Sequence, residues 1–356
     1  MAIADVTVMG GGIFGLGIAW ECVRRGASVR LIERDRIGAG SSGGLVGALA
    51  PHVPENWNPK KAFQLDSLLM AAGFWAGVAE ASGSDPGYAR LGRLQPLADD
   101  AAVARARERA EGAAQLWRGQ ADWRVVPAMP DGWAPVSPSG WMVADTLTAR
   151  LHPRAAAGAL VAAIRARGGV VEEAVSEPLA EVFSNRRTEG PVIWATGVQG
   201  LADLSADLGR NFGAGVKGQA ALFACSASDR AQLFADGLHV VPHHDGTVAV
   251  GSTSERDFAD PRSTDAALEA LIATARGLVP ALRDAPVIER WAGVRPRAKS
   301  RAPMLGVWLG REGHFVANGG FKIGFGMAPK VAEVMADLVL DGRDGIPDGF
   351  RVEDSF

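Results

Sequence analysis

The sequence has little tyrosine and little cysteine. Tyr88 is the single tyrosine in 356 residues, so it is the only phenol available for chemistry. The two cysteines, Cys22 and Cys225, are too few for a disulfide framework, and they form neither a CxxC pair nor a cluster with histidine. We therefore expect reduced structural thiols, no metal site and, by default, a cytoplasmic protein.

A strong charge of either sign is also lacking. The formal net charge is −3, from 37 Lys and Arg against 40 Asp and Glu, which gives no electrostatic reason to expect a nucleic-acid or anionic-membrane partner. We find no basic leader and no apolar run long enough to span a bilayer, so we expect neither a signal peptide nor a membrane segment. Hydrophobic residues make up 47% and charged residues 22%, as in a soluble globular protein.

Glycine, in contrast, is abundant, and three glycines near the N-terminus form a GxGxxG motif. Gly10, Gly12 and Gly15 follow the apolar run VTVM, helical spacing comes next, and a second apolar run, VRLI, ends at Glu33. In such a unit the glycines allow a tight turn, a close pyrophosphate and close helix–strand packing, and the helix N-terminus supplies free N–H groups. Glu33 can accept hydrogen bonds from a ribose. The unit predicts a dinucleotide site without deciding between NAD and FAD.

The segment after Glu33 favours FAD. Residues 34–51 read RDRIGAGSSGGLVGALAP, which is too rich in glycine and serine to form a stable helix. We expect a long loop against a flat ligand, with the hydroxyls of Ser41 and Ser42 available to phosphate oxygens.

This segment and three later ones resemble the D-amino-acid oxidase type of FAD enzymes, which includes glycine oxidase, sarcosine oxidase and the FAD domain of a tRNA-modifying oxidase. The later segments are PVIWATGVQG at 191–200, WAGVRPRAKSRAPMLG at 291–306 and HFVANGGFKIGFGMAPKVAEVMADLV at 314–339. They occur in the family's order along the chain. The resemblance implies FAD, held noncovalently because no cysteine lies where sarcosine oxidase attaches its flavin.

The predicted fold class is α/β, with a discontinuous Rossmann-like FAD-binding domain and a second, α+β substrate domain built on an antiparallel sheet. Cofactor motifs near both termini and in the middle place the FAD-binding domain at residues 1–85, 140–214 and 292–356. The substrate domain then takes residues 86–139 and 215–291. Its strands are indicated by VKGQAALFAC, LHVVPHH and TVAVGST.

The cofactor contacts that we predict come from both glycine turns and from the segments between them. The stretch GGFKIGFG is a second glycine loop before a helix, and in the family the flavin N1–C2=O edge lies there, where backbone N–H groups stabilise negative charge. The predicted residues are Gly10, Gly12, Ile13, Phe14, Gly15, Glu33, Arg34, Ser41, Ser42, Gly47, Ala48, Leu49, Val175, Ala195, Thr196, Gly197, Arg295, Gly320, Lys322, Ile323, Gly324, Phe325, Gly326 and Met327. Val175 is the nearest match to a residue whose backbone contacts adenine.

On the substrate side, the resemblance implies oxidation of the C–N bond of an amine or amino acid, with hydride transfer to flavin N5, an imine that hydrolyses, and O2 or another electron acceptor. Arg295 matches the carboxylate-binding arginine, and Lys322 stands where glycine oxidase has a second arginine. His239 aligns with an active-site tyrosine of glycine oxidase. His52 directly follows the loop at residues 34–51, which we call the flavin loop. Lys299 matches a lysine that some members carry near N5. Each of these side chains also has a structural interpretation, such as carbonyl capping by Arg295.

Two alternatives stay open at this point. An NAD-dependent dehydrogenase explains the first motif but leaves the second glycine loop without a purpose. A flavoprotein that acts on modified tRNA fits the tRNA-modifying relatives, whereas the slight negative charge and the lack of a basic stripe speak against it.

Overall fold

The computed structural model describes residues 4–129, 131–175 and 190–356 of the chain. The predicted cofactor-binding segment 140–214 includes residues 176–189, which lie outside the described residues. The helices are α1 (Ile13–Arg24), α2 (Pro59–Ser82), α3 (Asp100–Leu116), α4 (Pro153–Ala166), α5 (Gly197–Leu208), α6 (Ala266–Leu278) and α7 (Gly324–Asp341). The strands are β1 (Val6–Met9), β2 (Val29–Ile32), β3 (Ala48–Leu49), β4 (Arg93–Pro96), β5 (Trp123–Pro127), β6 (Trp141–Asp145), β7 (Ala149–Arg150), β8 (Val170–Glu172), β9 (Val192–Trp194), β10 (Gly213–Ala224), β11 (Gln232–Ala235), β12 (Leu238–Pro242), β13 (Thr247–Gly251), β14 (Val287–Ala298), β15 (Met304–Val307) and β16 (His314–Asn318).

The first sheet carries the N-terminal glycine motif. Its strand order is β15-β16-β9-β1-β2-β8, and every pair except the antiparallel β15–β16 pair is parallel. β1 lies in the middle, and all four of its residues are buried, as expected for a parallel strand covered on both faces. From β1, the chain adds β2 and β8 on one side of the sheet, and then β9 and β16 on the other side. The strand order therefore reverses between β1 and β9, and ligands of open α/β sheets bind at such a switch point.

Helix α1 is buried almost along its whole length because it packs against α7 and α4 as well as against the sheet. Its neighbour α7 also packs on α2. Among the described residues, α2 is the one helix long and apolar enough to cross a membrane by length and composition, which the sequence analysis did not anticipate. Only 44% of its most apolar window is buried, and a core helix can pass the same test, so this is weak evidence for a membrane span.

The second sheet has eight strands in the order β14-β10-β13-β12-β11-β4-β6-β5, and all of its pairs are antiparallel except β11–β4. One face packs against α6 through apolar residues such as Phe223, Val250 and Leu271. The other face, on the opposite side of the alternating strands, is turned towards the glycine turns of the first sheet.

Two strands of the second sheet lie in sequence ranges that were assigned to the FAD-binding domain, while the domain boundaries themselves stay a prediction. Residues 141–145 and 292–298 were assigned to the FAD-binding domain, but β6 and the whole of β14 belong to the second sheet. The reason is that β10 and β14 are twelve-residue strands that pair along their length and join the two halves. The end of β14, at Ala298, packs with Met9 and Trp194 of the first sheet.

Several element boundaries also differ from the sequence patterns. Helix α7 begins at Gly324, inside the glycine-rich stretch, rather than at Met327. The sequence VVEEAV at 170–175 is typical of a strand, but β8 ends at Glu172, because Ala174 has φ of 58° and turns the chain. Val175 therefore lies beyond the strand rather than on it.

Candidate active site

The first glycine turn requires glycine for two measurable reasons. Gly10 has φ of 107°, and a Cβ there would lie 2.5 Å from the carbonyl oxygen of Ala195. A Cβ on Gly15 would lie 2.0 Å from the carbonyl oxygen of Gly10. Glycine therefore lets α1 approach β1 and β9 closely enough to point its N-terminus into the cleft between the two sheets.

The N-terminus of α1 has no acidic residue in its first turn and no side-chain cap on Gly12. Instead, Ser42 Oγ of the flavin loop accepts a hydrogen bond from the amide of Ile13 at 3.0 Å. The Glu33 carboxylate accepts from the amides of Gly11 at 2.7 Å and Asp35 at 2.9 Å. The positive end of the helix dipole and an acid on the neighbouring strand thus lie side by side, which suits a diphosphate next to a ribose.

The second glycine turn meets the first. A Cβ on Gly320 would lie 2.9 Å from the ring of Phe14, and one on Gly324 would lie 3.5 Å from the Ile13 side chain. Helix α7 begins at Gly324 without a side-chain cap and without an acid in its first turn. Two helix N-termini from opposite ends of the chain therefore lie at the same cleft, and neither has an acid in its first turn or a cap from its own N-cap side chain.

This cleft is a cavity of about 1660 Å³ that reaches from β2 to the second sheet. It is larger than the roughly 300–1,000 Å³ of an ordinary ligand pocket, so it has room for a dinucleotide and a small substrate. The predicted residues that line it are Gly10, Gly12, Ile13, Phe14, Glu33, Arg34, Ser41, Ser42, Ala48, His52, Val175, Ala195, Thr196, Gly197, His239, Arg295, Gly320, Lys322, Ile323, Gly324 and Phe325.

Six predicted residues do not line the cavity. Gly15 and Gly47 act through close packing; a Cβ on Gly47, for example, would lie 1.9 Å from a backbone carbonyl oxygen. A Cβ on Gly326 would make only ordinary contacts, the nearest at 3.5 Å from Leu68. Leu49 and Met327 are fully buried behind the cavity wall. Lys299 is exposed and its amide donates to the carbonyl of Phe212, so the structure does not bring it to the site that we expected.

Val175 and Thr196, two of the predicted cofactor contacts, line the part of the cavity formed by the first sheet. The amide of Val175 donates to the carbonyl of Glu33 at 3.2 Å. Thr196, at the N-terminus of α5, has a buried hydroxyl without a hydrogen-bond partner among the described residues. A buried, unsatisfied hydroxyl that lines a cavity is a ready contact for a polar ligand.

Arg295 is buried and held by the second sheet. Its Nη1 donates to Ser252 Oγ at 2.8 Å, and its Nη2 donates to the carbonyl of Thr253 at 2.7 Å. The guanidinium rests on Gly218, where a Cβ would lie 1.5 Å from Nη2. Burial lowers the pKa of Arg295 to about 10, which leaves it cationic, and its Nε has no partner in the described part of the chain.

Lys322 lies beside Arg295. The Lys322 Nζ is 5.9 Å from the centre of the Phe321 ring, and the Arg295 guanidinium is 5.7 Å from the same centre. Burial, followed by the charge of Arg295, lowers the pKa of Lys322. Neither cation forms an ion pair with a carboxylate of the described residues, so both can bind an anion.

His239 stands on β12 with its ring 4.7 Å from that of Phe234. Burial lowers the pKa of His239 to about 3, with smaller contributions from the charges of Arg93 and Lys322. The imidazole is therefore neutral near pH 7. Its Nδ1 is buried and has no hydrogen-bond partner among the residues described.

His52 is oriented by Gln64. The Gln64 side-chain amide donates to the carbonyl of Ala50, so Gln64 Oε1 is the acceptor for the His52 amide at 2.8 Å and for His52 Nδ1 at 2.5 Å. This assigns the proton to Nδ1 and leaves Nε2 as an acceptor. Burial lowers the pKa of His52, which favours the neutral form.

Arg93 is the main site residue that the sequence analysis missed. It lies on β4, is 6% exposed, lines the cavity, and donates from Nε to the buried carboxylate of Asp145 at 3.0 Å. Its guanidinium is 5.7 Å from the Phe234 ring centre. The available signal was the strand RLQP, in which Arg93 and Gln95 alternate and so share one face of the sheet.

The fold and the site define a dinucleotide-binding oxidoreductase whose cofactor is held between two helix N-termini. The family model described as DAO, FAD dependent oxidoreductase, matches residues 5–338, and the chain belongs to this family. The family, the α/β fold class and FAD as cofactor, all predicted from the sequence, are thereby confirmed. Membership of an FAD-dependent family excludes the alternative that the protein is an NAD-dependent dehydrogenase.

The individual similarities agree. The chain is 30% identical to glycine oxidase of Pseudomonas putida, with 97% of this chain and 96% of that protein covered. Its structure is similar to the crystal structure of glycine oxidase from Geobacillus kaustophilus, with a TM-score of 0.82, 23% identity and 98% of each chain covered. It is also similar to iminodiacetate oxidase from Chelativorans sp. BNC1, with a TM-score of 0.81, 21% identity and coverage of 97% and 98%. Other matched relatives are covered over only 36% or 53% of their own length.

Proposed function

We propose that this protein oxidises the C–N bond of an amino acid or secondary amine that carries a carboxylate, and that the resulting imine is hydrolysed by water. Bound FAD supplies the acceptor for a hydride from the carbon next to nitrogen. The observation that carries the proposal is a buried, cationic Arg295 in the same cavity as the N-termini of α1 and α7.

The described residues fit FAD along the whole cleft. The Gly10–Gly12 turn and the N-terminus of α1 would bind the diphosphate, Glu33 the ribose, and the N-terminus of α7 the negative end of the reduced ring system. Neither Cys22 nor Cys225 lines the cavity, which supports noncovalent binding.

Arg295 would bind the substrate carboxylate. Its Nη1 and Nη2 each donate to the second sheet, so the guanidinium is fixed before the substrate arrives. A preorganised cation orients a substrate at little entropic cost. Lys322 adds a second, mobile charge next to it, and the electron acceptor is O2 or another small oxidant.

His52 would accept a proton from the substrate amine. A hydride leaves the carbon only when the nitrogen lone pair is available, so the amine must be neutral. His52 Nε2 is an acceptor because Gln64 fixes the proton on Nδ1, and the lowered pKa keeps the ring neutral near pH 7. We assign His239, which is also neutral, to substrate orientation.

The experiment is an anaerobic reduction of the purified flavoprotein by D-amino acids and secondary amines, followed at roughly 450 nm. We expect bleaching by carboxylate-bearing amines, and reoxidation by O2 or a dye separates oxidase from dehydrogenase. Arg295→Met should raise the KM for such amines by an amount that corresponds to about 2–5 kcal/mol, because it removes a desolvated charge pair. Arg124→Gln on the exposed edge of the same sheet is the control. An unbleached flavin throughout the amine series, or an unchanged KM for Arg295→Met, contradicts the proposal.

A further inference from the structure

The substrate end of the cavity holds more positive charge than one carboxylate needs. Arg93, Arg295 and Lys322 line this end, on β4, on β14 and in the second glycine loop. The acidic residues that line the cavity are Glu33 and Asp35, at the end of β2, and Asp203 on α5. Arg295 and Lys322 form no ion pair with a carboxylate in the described ranges. Arg295 is buried without a carboxylate partner, which is costly, and the exposed Lys322 adds a second positive charge, so this arrangement favours an anionic ligand with room for more than one negative group.

Arg93 offers a binding surface of its own. Asp145 Oδ2 accepts from its Nε, and Asp145 Oδ1 accepts from the amide of Thr148 at 2.8 Å, so the carboxylate holds the guanidinium from one side. Nη1 and Nη2 of Arg93 donate to no atom of the described residues. A guanidinium fixed through Nε leaves its two terminal nitrogens free for another acceptor, and this edge suits a carboxylate.

The cations are arranged in a row along the cavity wall. Strand β4 neighbours β11, and β11 neighbours β12, so Arg93, Phe234 and His239 stand on adjacent strands. The Phe234 ring lies 5.7 Å from the Arg93 guanidinium and 4.7 Å from the His239 ring, so both side chains neighbour the same ring. Lys322 in turn shares the Phe321 ring with Arg295. The cavity thus has two candidate anion subsites, one at Arg295 and one at Arg93, and Lys322 and His239 line the same cavity.

We propose that the substrate of this site is an amine with two carboxylates, such as an acidic amino acid or an N-carboxymethyl amino acid, and that Arg93 binds the second carboxylate. The inference rests on the proposed C–N oxidation for its chemistry, but the anion subsite stands on the geometry alone. Arg295 holds the carboxylate next to the reacting carbon, and Arg93 with His239 holds the distal one.

The first test is binding without turnover. The FAD-loaded protein is titrated with glutarate and succinate, and with butyrate and propionate as monocarboxylates of similar length, and the flavin absorbance reports binding. We expect the dicarboxylates to bind at least tenfold more tightly. Equal affinity for dicarboxylates and monocarboxylates overturns the proposal.

The second test uses variants of Arg93. Arg93→Lys keeps the charge opposite Asp145 but loses the fork, and Arg93→Leu combined with Asp145→Leu removes the pair without leaving a buried carboxylate unpaired. Both should reduce the dicarboxylate advantage to below threefold while monocarboxylate affinity changes by less than threefold. Arg124→Gln, which breaks the exposed Arg124–Asp122 pair on the same sheet, is the matched control. If the double variant does not fold, Arg93→Lys decides the question alone.

A structural role for Arg93 predicts a different pattern. In that case the variants weaken monocarboxylates and dicarboxylates by the same factor, and this result overturns the proposal. Substrate pairs then separate the two hypotheses: D-glutamate against D-glutamine, and iminodiacetate against N-methylglycine. Flavin reduction that is equally fast within each pair refutes the second carboxylate and leaves C–N oxidation intact. Tight glutarate binding with no reduction by any amine supports the subsite and refutes C–N oxidation.

Discussion

Replacing each of two glycines in helix α1 by alanine should have opposite effects. Gly15 faces the first glycine turn, where an added Cβ would lie 2.0 Å from the carbonyl oxygen of Gly10. Gly17 faces α7, where an added Cβ would lie 3.7 Å from the nearest atoms, of Ala328 and Ala332, which is ordinary van der Waals contact. The two positions share a helix and are both buried, so helix propensity and burial cancel in the comparison.

The expected size of each effect follows from these distances. At Gly17 alanine should stabilise the protein by about 0.5–1 kcal/mol, the usual difference from glycine inside a helix. At Gly15 the Gly10 oxygen would have to move by about 1 Å to reach an allowed distance, and Gly10 is blocked on its other side by the Ala195 carbonyl. Overpacking of this kind costs about 1–3 kcal/mol or more. It also tilts the N–H groups of α1 away from the diphosphate.

The assay is the flavin-to-protein absorbance ratio after dialysis, together with the urea midpoint of each variant. Loss of one charge-assisted hydrogen bond is worth about 1.5–3 kcal/mol, so Gly15→Ala should weaken FAD binding roughly tenfold to a hundredfold. Gly17→Ala should retain FAD like the original protein. If Gly15→Ala keeps its FAD and its stability, the close contact between α1 and the Gly10 carbonyl is not what shapes the cofactor site.

Three further changes test other parts of the cleft. Gly218→Ala should raise the KM for carboxylate-bearing amines at least tenfold with unchanged flavin content, because the new Cβ takes the place of the Arg295 guanidinium; an unchanged KM contradicts this. Glu33→Ala should lower the flavin content and Glu33→Gln should restore part of it, since an amide oxygen can still accept one of the two backbone N–H groups. Burial lowers the pKa of His243 to about 4, so the unfolded chain takes up this proton first, and stability falls as the pH drops from about 6.5 towards 4. The free energy of unfolding should fall by about 2 kcal/mol less in His243→Gln than in the original protein between pH 7 and pH 5, measured by urea titration.

The cofactor half of the site could be predicted from the sequence because its residues are close together along the chain. Gly10, Gly12 and Gly15 act within one strand–turn–helix unit, and the strand ending at Glu33 follows directly. Their requirement is steric and local, so the pattern of glycines alone carries it. The second glycine turn is equally local. That it lies next to the first turn, with Gly320 against Phe14, agrees with the order of motifs in the family.

The substrate half could not be predicted in the same way. Arg93 on β4 and His239 on β12 are neighbours because both strands pair with β11. No local sequence pattern predicts the parallel pairing of β4 with β11. Lys299 matched a family position by sequence, yet its side chain is exposed because the strand that carries Arg295 ends at Ala298. Side chains on long-range sheets depend on register, and a shift of one residue turns every side chain to the other face.

The same difference separates the cofactor from the substrate. The family match identifies the cofactor as FAD, whereas the substrate has to be identified by experiment. In the proposed site, FAD would be bound mainly by backbone groups whose positions follow from the glycine turns. In the proposed site, the substrate would be bound by the side chains of Arg93, His239 and Arg295, which stand on strands of the second sheet. A protein 30% identical to a glycine oxidase can therefore share its cofactor and still differ in substrate. If Arg93 binds a second carboxylate as proposed, its guanidinium would move the specificity of this site away from glycine, which has a single carboxylate for Arg295 to bind.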